Sequence, residues 1–268
     1  PTAIRALMRE GDEPVRSLAI SCLGNADRVA RGFGDVVDGM RAAGSLDATL
    51  QEAQRYAEQA RPALAVLPPS EARDEIADLA GAGCTYVQID NTDAALICDP
   101  KFQEMSRRQG MEPEDHIHLQ ARLVSGATSG RPDDMTISMH LCRGNFRSSW
   151  IAEGGYEPVA DVLFNAIGVD GYFMEYDSDR AGGFEPLRLV PADKMVVLGL
   201  ITSKTGALES KDEIKRRIDE AARYVPLEQL CLSPQCGFAS TEEGNALSED
   251  EQWAKLELTV EIADDVWG

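Results

Sequence analysis

The chain has 268 residues, a length that suits one α/β barrel or two smaller domains. A hydrophobic content of 43% supports a sizeable core and excludes global disorder. With 46 acidic and 26 basic residues the formal charge is −20, which repels phosphate backbones and anionic lipid, so nucleic acid and membrane partners are not expected.

No run of about 18 apolar residues occurs, so no membrane-spanning helix is expected. Pro1-Thr2-Ala3-Ile4-Arg5 leads into no signal-peptide core. The six cysteines, Cys22, Cys84, Cys98, Cys142, Cys231 and Cys236, do not form a disulfide scaffold in a chain of this size. Reduced thiols and a cytoplasmic location are the expectation.

In chain order, short apolar runs predict buried strands at Ser17–Ile20, Ala63–Leu67, Tyr86–Asp90, Met135–His140, Gly171–Glu175, Met195–Ile201 and Gln229–Ser233. Helical spacing appears between them. Glu71 to Ala82 carries Ile76, Leu79 and Ala80 on one stripe. Ser210 to Tyr224 opens on a capping serine and carries Ile214, Ile218 and Ala221. Ser248 to Val266 starts at a Ser-Glu-Asp-Glu cap and carries Leu256, Val260 and Ile262. Strands alternating with helices mean βαβ units and a parallel sheet. The spacing of the last five strands, about 30 residues per unit, fits a (β/α)8 TIM-type barrel, incomplete or irregular at its N-terminal side. Residues 1–268 read as a single barrel domain, with Pro68-Pro69-Ser70 as a short turn and not a domain boundary.

His140-Leu141-Cys142 ends the strand that begins near Met135. Residues two apart in a strand share a face, so Ser138, His140 and Cys142 point one way and Ile137, Met139 and Leu141 the other. Alone, a His-x-Cys pair is a weak metal signal. Glu175 closes the next apolar strand, and Cys236 sits in the tight turn Ser233-Pro234-Gln235-Cys236-Gly237. All four fall at or just past C-terminal strand ends, where such barrels build their sites. Two thiolates, an imidazole and a carboxylate suit tetrahedral Zn2+. His116 and His118 read as surface residues, and Cys84 and Cys231 as core. The pair Gly182-Gly183 matches no phosphate-binding loop.

These segments, together with Ala82-Gly83-Cys84-Thr85-Tyr86-Val87-Gln88-Ile89-Asp90, His140-Leu141-Cys142-Arg143-Gly144-Asn145, Glu175-Tyr176-Asp177 and Leu232-Ser233-Pro234-Gln235-Cys236-Gly237-Phe238, carry a resemblance. The chain resembles the C-terminal catalytic barrel of cobalamin-independent methionine synthase and its short single-barrel relatives, over roughly residues 71–268. The resemblance implies a catalytic zinc on His140, Cys142, Glu175 and Cys236. It implies Asp90 as the catalytic and substrate-binding acid that meets the amino group of homocysteine, with Gln88 beside it. It also implies a small-molecule thiol and a methyl or alkyl donor as partners, and leaves a homo-oligomer open. The expected reaction is methyl transfer to the thiol to give methionine.

Two departures bear on the donor. The family continues Gln-Ile-Asp with Glu-Pro, where this chain has Asn91-Thr92. Its Asp-x-His-Ser motif aligns with Gly199-Leu200-Ile201-Thr202-Ser203-Lys204, which holds no histidine. Another thiol or donor (coenzyme M with an epoxide, a corrinoid, a methyl ether), or a non-catalytic zinc barrel, is therefore the alternative. Arg143 and Lys204 are candidates to neutralise the donor or its leaving group.

Overall fold

A computed structural model describes residues 70–268. Chain contacts divide between Pro68 and Pro69, where the sequence reading expects no boundary, and the unit Pro69–Gly268 holds the described residues. The strands expected at Ser17–Ile20 and Ala63–Leu67 lie outside the described residues, as does Cys22.

Five strands form one parallel sheet in the order β1-β2-β3-β4-β5. They are β1 (Tyr86–Asn91), β2 (Thr136–Leu141), β3 (Gly171–Glu175), β4 (Met195–Ile201) and β5 (Leu230–Pro234). Each strand pairs only with its sequence neighbours, unlike the doubly wound order, in which the chain reverses direction across the sheet. Sequential parallel strands joined by helical crossovers are the wall of a (β/α) barrel.

The helices are α1 (Ser70–Gly81), α2 (Asp93–Leu96), α3 (Pro100–Arg108), α4 (Pro113–Thr128), α5 (Ala160–Ala166), α6 (Lys211–Ala221) and α7 (Glu249–Trp267). Three of them, α2 to α4, fill Asp93 to Thr128, where sequence periodicity gives no clear element. Their start signals are local. Asp99 caps α3, its carboxylate accepting from the Lys101 amide at 2.9 Å with Pro100 next in the chain, and Pro113 opens α4. The capping box of α7 forms as its Ser-Glu-Asp-Glu start predicts.

The alternation of β2 sets the two faces. Ile137, Met139 and Leu141 are fully buried, as are Tyr172, Met174, Val196 and Leu198 on the same side of their strands. They meet the helix layer. Phe164 of α5 packs edge-on against Tyr172 at 5.2 Å, worth about 0.5–1.5 kcal/mol beyond burial. Tyr172 Oη also donates to Leu163 O at 2.8 Å, so α5 is fixed to β3 by both ring and hydroxyl. The opposite face carries Gln88, Asp90, Ser138, His140, Phe173, Glu175, Gly199 and Ser233, aligned by register across all five strands.

Some helix stripes differ from expectation. Ile76, Ile214, Ile218 and Ala221 are buried, but Leu79 and Val260 are exposed. In α7 the buried row is Lys255, Leu258 and Ile262. Lys255 belongs to it because Nζ reaches both Glu209 carboxylate oxygens at 3.0 Å and Ala207 O at 2.7 Å. A paired ammonium tolerates burial that a free one does not. Cys84 lies in the turn before β1, half-buried and packed against the core, donating to Tyr86 O; Cys231 is half-buried on the site side and is not core.

Candidate metal centre

His140 and Cys142 leave the end of β2, Glu175 ends β3, and Cys236 follows β5. One ligand atom from each lies within 4.8 Å of the others, and among the described residues no other such group of His, Cys, Asp and Glu occurs. Cys142 Sγ and Cys236 Sγ are 3.8 Å apart, although 94 positions separate them in the chain. Disulfide-bonded sulfurs sit about 2.05 Å apart. Two sulfurs bound to one tetrahedral zinc at about 2.3 Å each lie about 3.8 Å from one another. The spacing therefore suits a shared ion. His140 is buried, and its Nε2 has no hydrogen-bond partner. Such a nitrogen is costly unless something coordinates it.

The protonation pattern fits the same use. The hydrogen bond between the thiols holds Cys142 in the thiol form, with burial and the Cys236 charge acting the same way. That bond, helped by His140 and Ser240, stabilises Cys236 as the thiolate against burial. The pair thus carries one proton. Burial lowers the pKa of His140, but Cys236 with the Glu175 and Asp90 charges outweighs it and leaves it raised. Burial pushes Glu175 up despite its hydrogen bonds.

Glu175 is fully buried. Its Oε1 accepts from the Arg143 amide at 2.9 Å and its Oε2 from Arg180 Nη2 at 3.1 Å. Tyr156 Oη accepts from the Glu175 amide at 3.1 Å and lies 3.3 Å from its carbonyl oxygen. Such support fixes where a ligand atom points. The loop of Cys236 is tied across the sheet. Asn145 Nδ2 donates to Gly237 O at 2.7 Å and Ser240 Oγ at 2.8 Å, and Ser240 Oγ lies 3.7 Å from Cys236 Sγ.

Asp90 stands opposite His140 in the β1–β2 register, so it is one strand away on the same face. Gln88 Nε2 donates to Asp90 Oδ1 at 3.1 Å, and both residues are exposed. Asp90 and Gln88 thus border the four donors without belonging to them. Asn91 points the other way: its Oδ1 accepts from Ala94 N at 2.9 Å and its Nδ2 reaches Gln120. The substitution at Asn91 therefore acts in the helix layer and not on the pocket floor.

Arg143 and Lys204, the candidate cations for a donor, are both buried. The Arg143 guanidinium is fully buried, 4.4 Å over the Tyr156 ring. Lys204 Nζ is spent on Asn145 Oδ1 at 3.0 Å, Gly144 O at 3.2 Å and Ser149 O at 3.4 Å. His116 is half-buried on α4 with Nε2 3.9 Å from Asp93, and His118 is exposed, so the two form no metal pair. The residue that sequence reasoning missed is Arg180. Its only signal was an arginine in the polar run that follows Glu175. A cavity of about 640 Å³ lies between that run and α6; none of the four donors lines it.

Comparisons with known proteins agree with this geometry. Residues 46–265 match the family described as cobalamin-independent synthase, catalytic domain. Two Bacillus subtilis proteins, named as uncharacterized proteins YxjH and YxjG, are each 55% identical over 69% of the chain, covering 50% and 49% of their own lengths. The chain thus spans about half the length of these relatives. A 5-methyltetrahydropteroyltriglutamate–homocysteine methyltransferase of Candida albicans is 26% identical over 62% of the chain and 19% of its own length. A solved structure, the putative vitamin-B12 independent methionine synthase of Listeria monocytogenes, aligns with TM-score 0.60 at 39% identity, over 75% of this chain and 54% of that one. A B12-independent methionine synthase structure from Shewanella, 20% identical with TM-score 0.55, shares the fold. The chain belongs to the cobalamin-independent synthase catalytic-domain family, and its fold is the α/β barrel of that family.

Proposed function

We propose that the chain binds one zinc ion through His140, Cys142, Glu175 and Cys236 and activates a homocysteine-like thiol for methyl transfer, giving methionine. The observation that carries this reading is the convergence of four suitable donor atoms within 4.8 Å, with the sulfurs at the spacing one tetrahedral zinc requires. Zinc supplies one thing when bound: it favours the thiolate form of a substrate sulfur that is mostly protonated at neutral pH. Cys142, Cys236 and His140 hold the ion. Glu175 would be the donor to give way to a thiolate, since carboxylate is the weakest of the four for a soft site. Asp90, beside His140, takes the ammonium of the amino-acid substrate, and Gln88 orients Asp90. A single domain over residues 1–268 is part of this reading; the family match, residues 46–265, runs across the division of chain contacts at Pro68–Pro69.

A second reading, transfer from a donor other than methylfolate or to another thiol, is favoured by the segment Gly199–Lys204. No histidine is present there. Ser203 N and Oγ both reach Gln235 Oε1, at 2.8 and 2.6 Å, and Lys204 is held by the β2 loop. Ser203 and Lys204 are thus both engaged within the protein. A zinc-holding barrel without chemistry is the limiting case.

X-ray absorption at the zinc edge tests the central claim. L-homocysteine is expected to add one Zn–S contact and remove one Zn–O contact. A zinc shell that never accepts a thiol ends both transfer readings. Activity of the zinc protein with a panel of thiols and methyl donors then separates the first reading from the second.

A further inference from the structure

We infer that Arg180 is a positioning residue for Glu175: a fixed cation that holds the carboxylate when a substrate thiol takes its place. The inference rests on the zinc–thiol reading above.

Arg180 forms the one ion pair to Glu175 found among the described residues, Nη2 to Oε2 at 3.1 Å, with the two side chains 7% and 0% exposed. Three other contacts keep the guanidinium in place without Glu175. Nη2 donates to Asp177 Oδ1 at 2.6 Å, Nη1 donates to Ser178 Oγ at 2.8 Å, and the group lies 5.0 Å over the Trp150 ring. Its backbone is held as well, since Gly154 N donates to Arg180 O at 2.7 Å. The clamp is thus preorganised and does not depend on the residue it clamps.

Charge balance gives it a task. With zinc held by the four donors, an incoming thiol would give its proton to solvent and its sulfur would take the place of the Glu175 oxygen. The buried site then carries one more negative charge than before. A released carboxylate without a partner is heavily penalised there. Arg143 is turned onto Tyr156 and Lys204 onto the β2 loop, which leaves Arg180 in contact with Oε2 while the Arg143 amide holds Oε1. Arg180 and the Arg143 amide would thus keep the Glu175 carboxylate paired whether or not a thiol took its place.

The test uses the cobalt(II)-substituted protein, with the wild type compared with Arg180→Met and Arg180→Lys. Metal content, folding by circular dichroism, and the sulfur-to-cobalt charge-transfer band are read while L-homocysteine or 2-mercaptoethanesulfonate is titrated in. Arg180→Met is expected to stay folded and keep one metal per chain, yet bind thiol more weakly by about tenfold or more. Arg180→Lys, which retains charge but not the fork, recovers part of the loss. Thiol affinity within about twofold of wild type in Arg180→Met overturns the inference, as does loss of metal and fold in both variants, which marks Arg180 as structural. If adding thiol leaves the charge-transfer band of the wild type unchanged, the zinc–thiol reading fails first and this inference with it.

Discussion

Gly199 and Gln235 approach so closely that a Cβ on Gly199 would lie 2.6 Å from Gln235 Cα and 2.8 Å from Met174 O. Gly199 is the register partner of Glu175, and Gln235 precedes Cys236, so the missing side chain lets the β5 loop close over the site. Gly199→Ala has no flexible neighbour to displace. It is expected to cost about 1–3 kcal/mol and to weaken metal binding by moving Cys236. Urea unfolding with and without zinc measures both; an unchanged midpoint and full zinc retention contradict the proposed closure.

Cys142 and Cys236 differ in protonation before metal arrives, one held as thiol and the other favoured as thiolate. Coordination requires both as thiolates. Zinc uptake near neutral pH should therefore release about one proton from the pair, plus a fraction from His140, whose pKa is raised. Calorimetry in buffers of different ionisation enthalpy counts these protons, and a count near zero contradicts the shared-proton description. Cys142→Ser or Cys236→Ser is expected to drop zinc well below one per chain after dialysis. Stoichiometric zinc in either variant sinks the ligand assignment.

Lys204 is assigned as a staple of the loop Gly144 to Ser149 and not as a reagent. Lys204→Met leaves Asn145 Oδ1 and two carbonyls short of a donor, at an expected cost of about 2–3 kcal/mol. Thermal unfolding should show this loss, while the thiol affinity of the loaded protein stays near wild type. Unchanged stability with lost thiol binding reverses the assignment.

Asp170 ties the start of β2 to β3. Its carboxylate pairs with Arg131, Nη2 to Oδ1 at 2.6 Å, and accepts from Ile137 N at 2.7 Å. Burial alone raises its pKa, but Arg131 and the Ile137 amide outweigh burial and leave it lowered. A lowered folded-state pKa gives stability that is complete above the unfolded value, about 4, and lost as pH falls through the folded value. Asp170→Asn is expected to cost about 1–2 kcal/mol at pH 7, the pair being partly exposed. Its deficit against wild type shrinks as pH drops below about 4. Urea midpoints across this range check the sign; a deficit that grows on acidification contradicts it.

The sequence was most legible where one side chain's neighbours already fix its surroundings. Alternation in Met135–His140 placed His140 and Cys142 on the polar face because strand geometry allows no other outcome. Apolar runs located all five described strands, since parallel strands covered by helices on one face and lining the barrel on the other are rich in apolar residues. The region Asp93 to Thr128 was opaque because its helices are short or polar, and their packing comes from Ala94, Ala95, Ile117 and Val124 rather than from a wide apolar stripe. The buried lysine of α7 was equally hidden, because its partner Glu209 lies in a distant segment.

By itself, the sequence determined the strand periodicity, the chemistry of the four donors, and the family to which their motifs point. Each of these depends on residue type and spacing along a few positions. Only the tertiary structure decided that Cys142 and Cys236 stand 3.8 Å apart, that Lys204 is bonded to the β2 loop and Arg143 buried over Tyr156, and that Arg180 grips Glu175. Those relations depend on how separate loops meet at the ends of the strands. Loop closure is set by contacts between distant segments, and no local pattern encodes them.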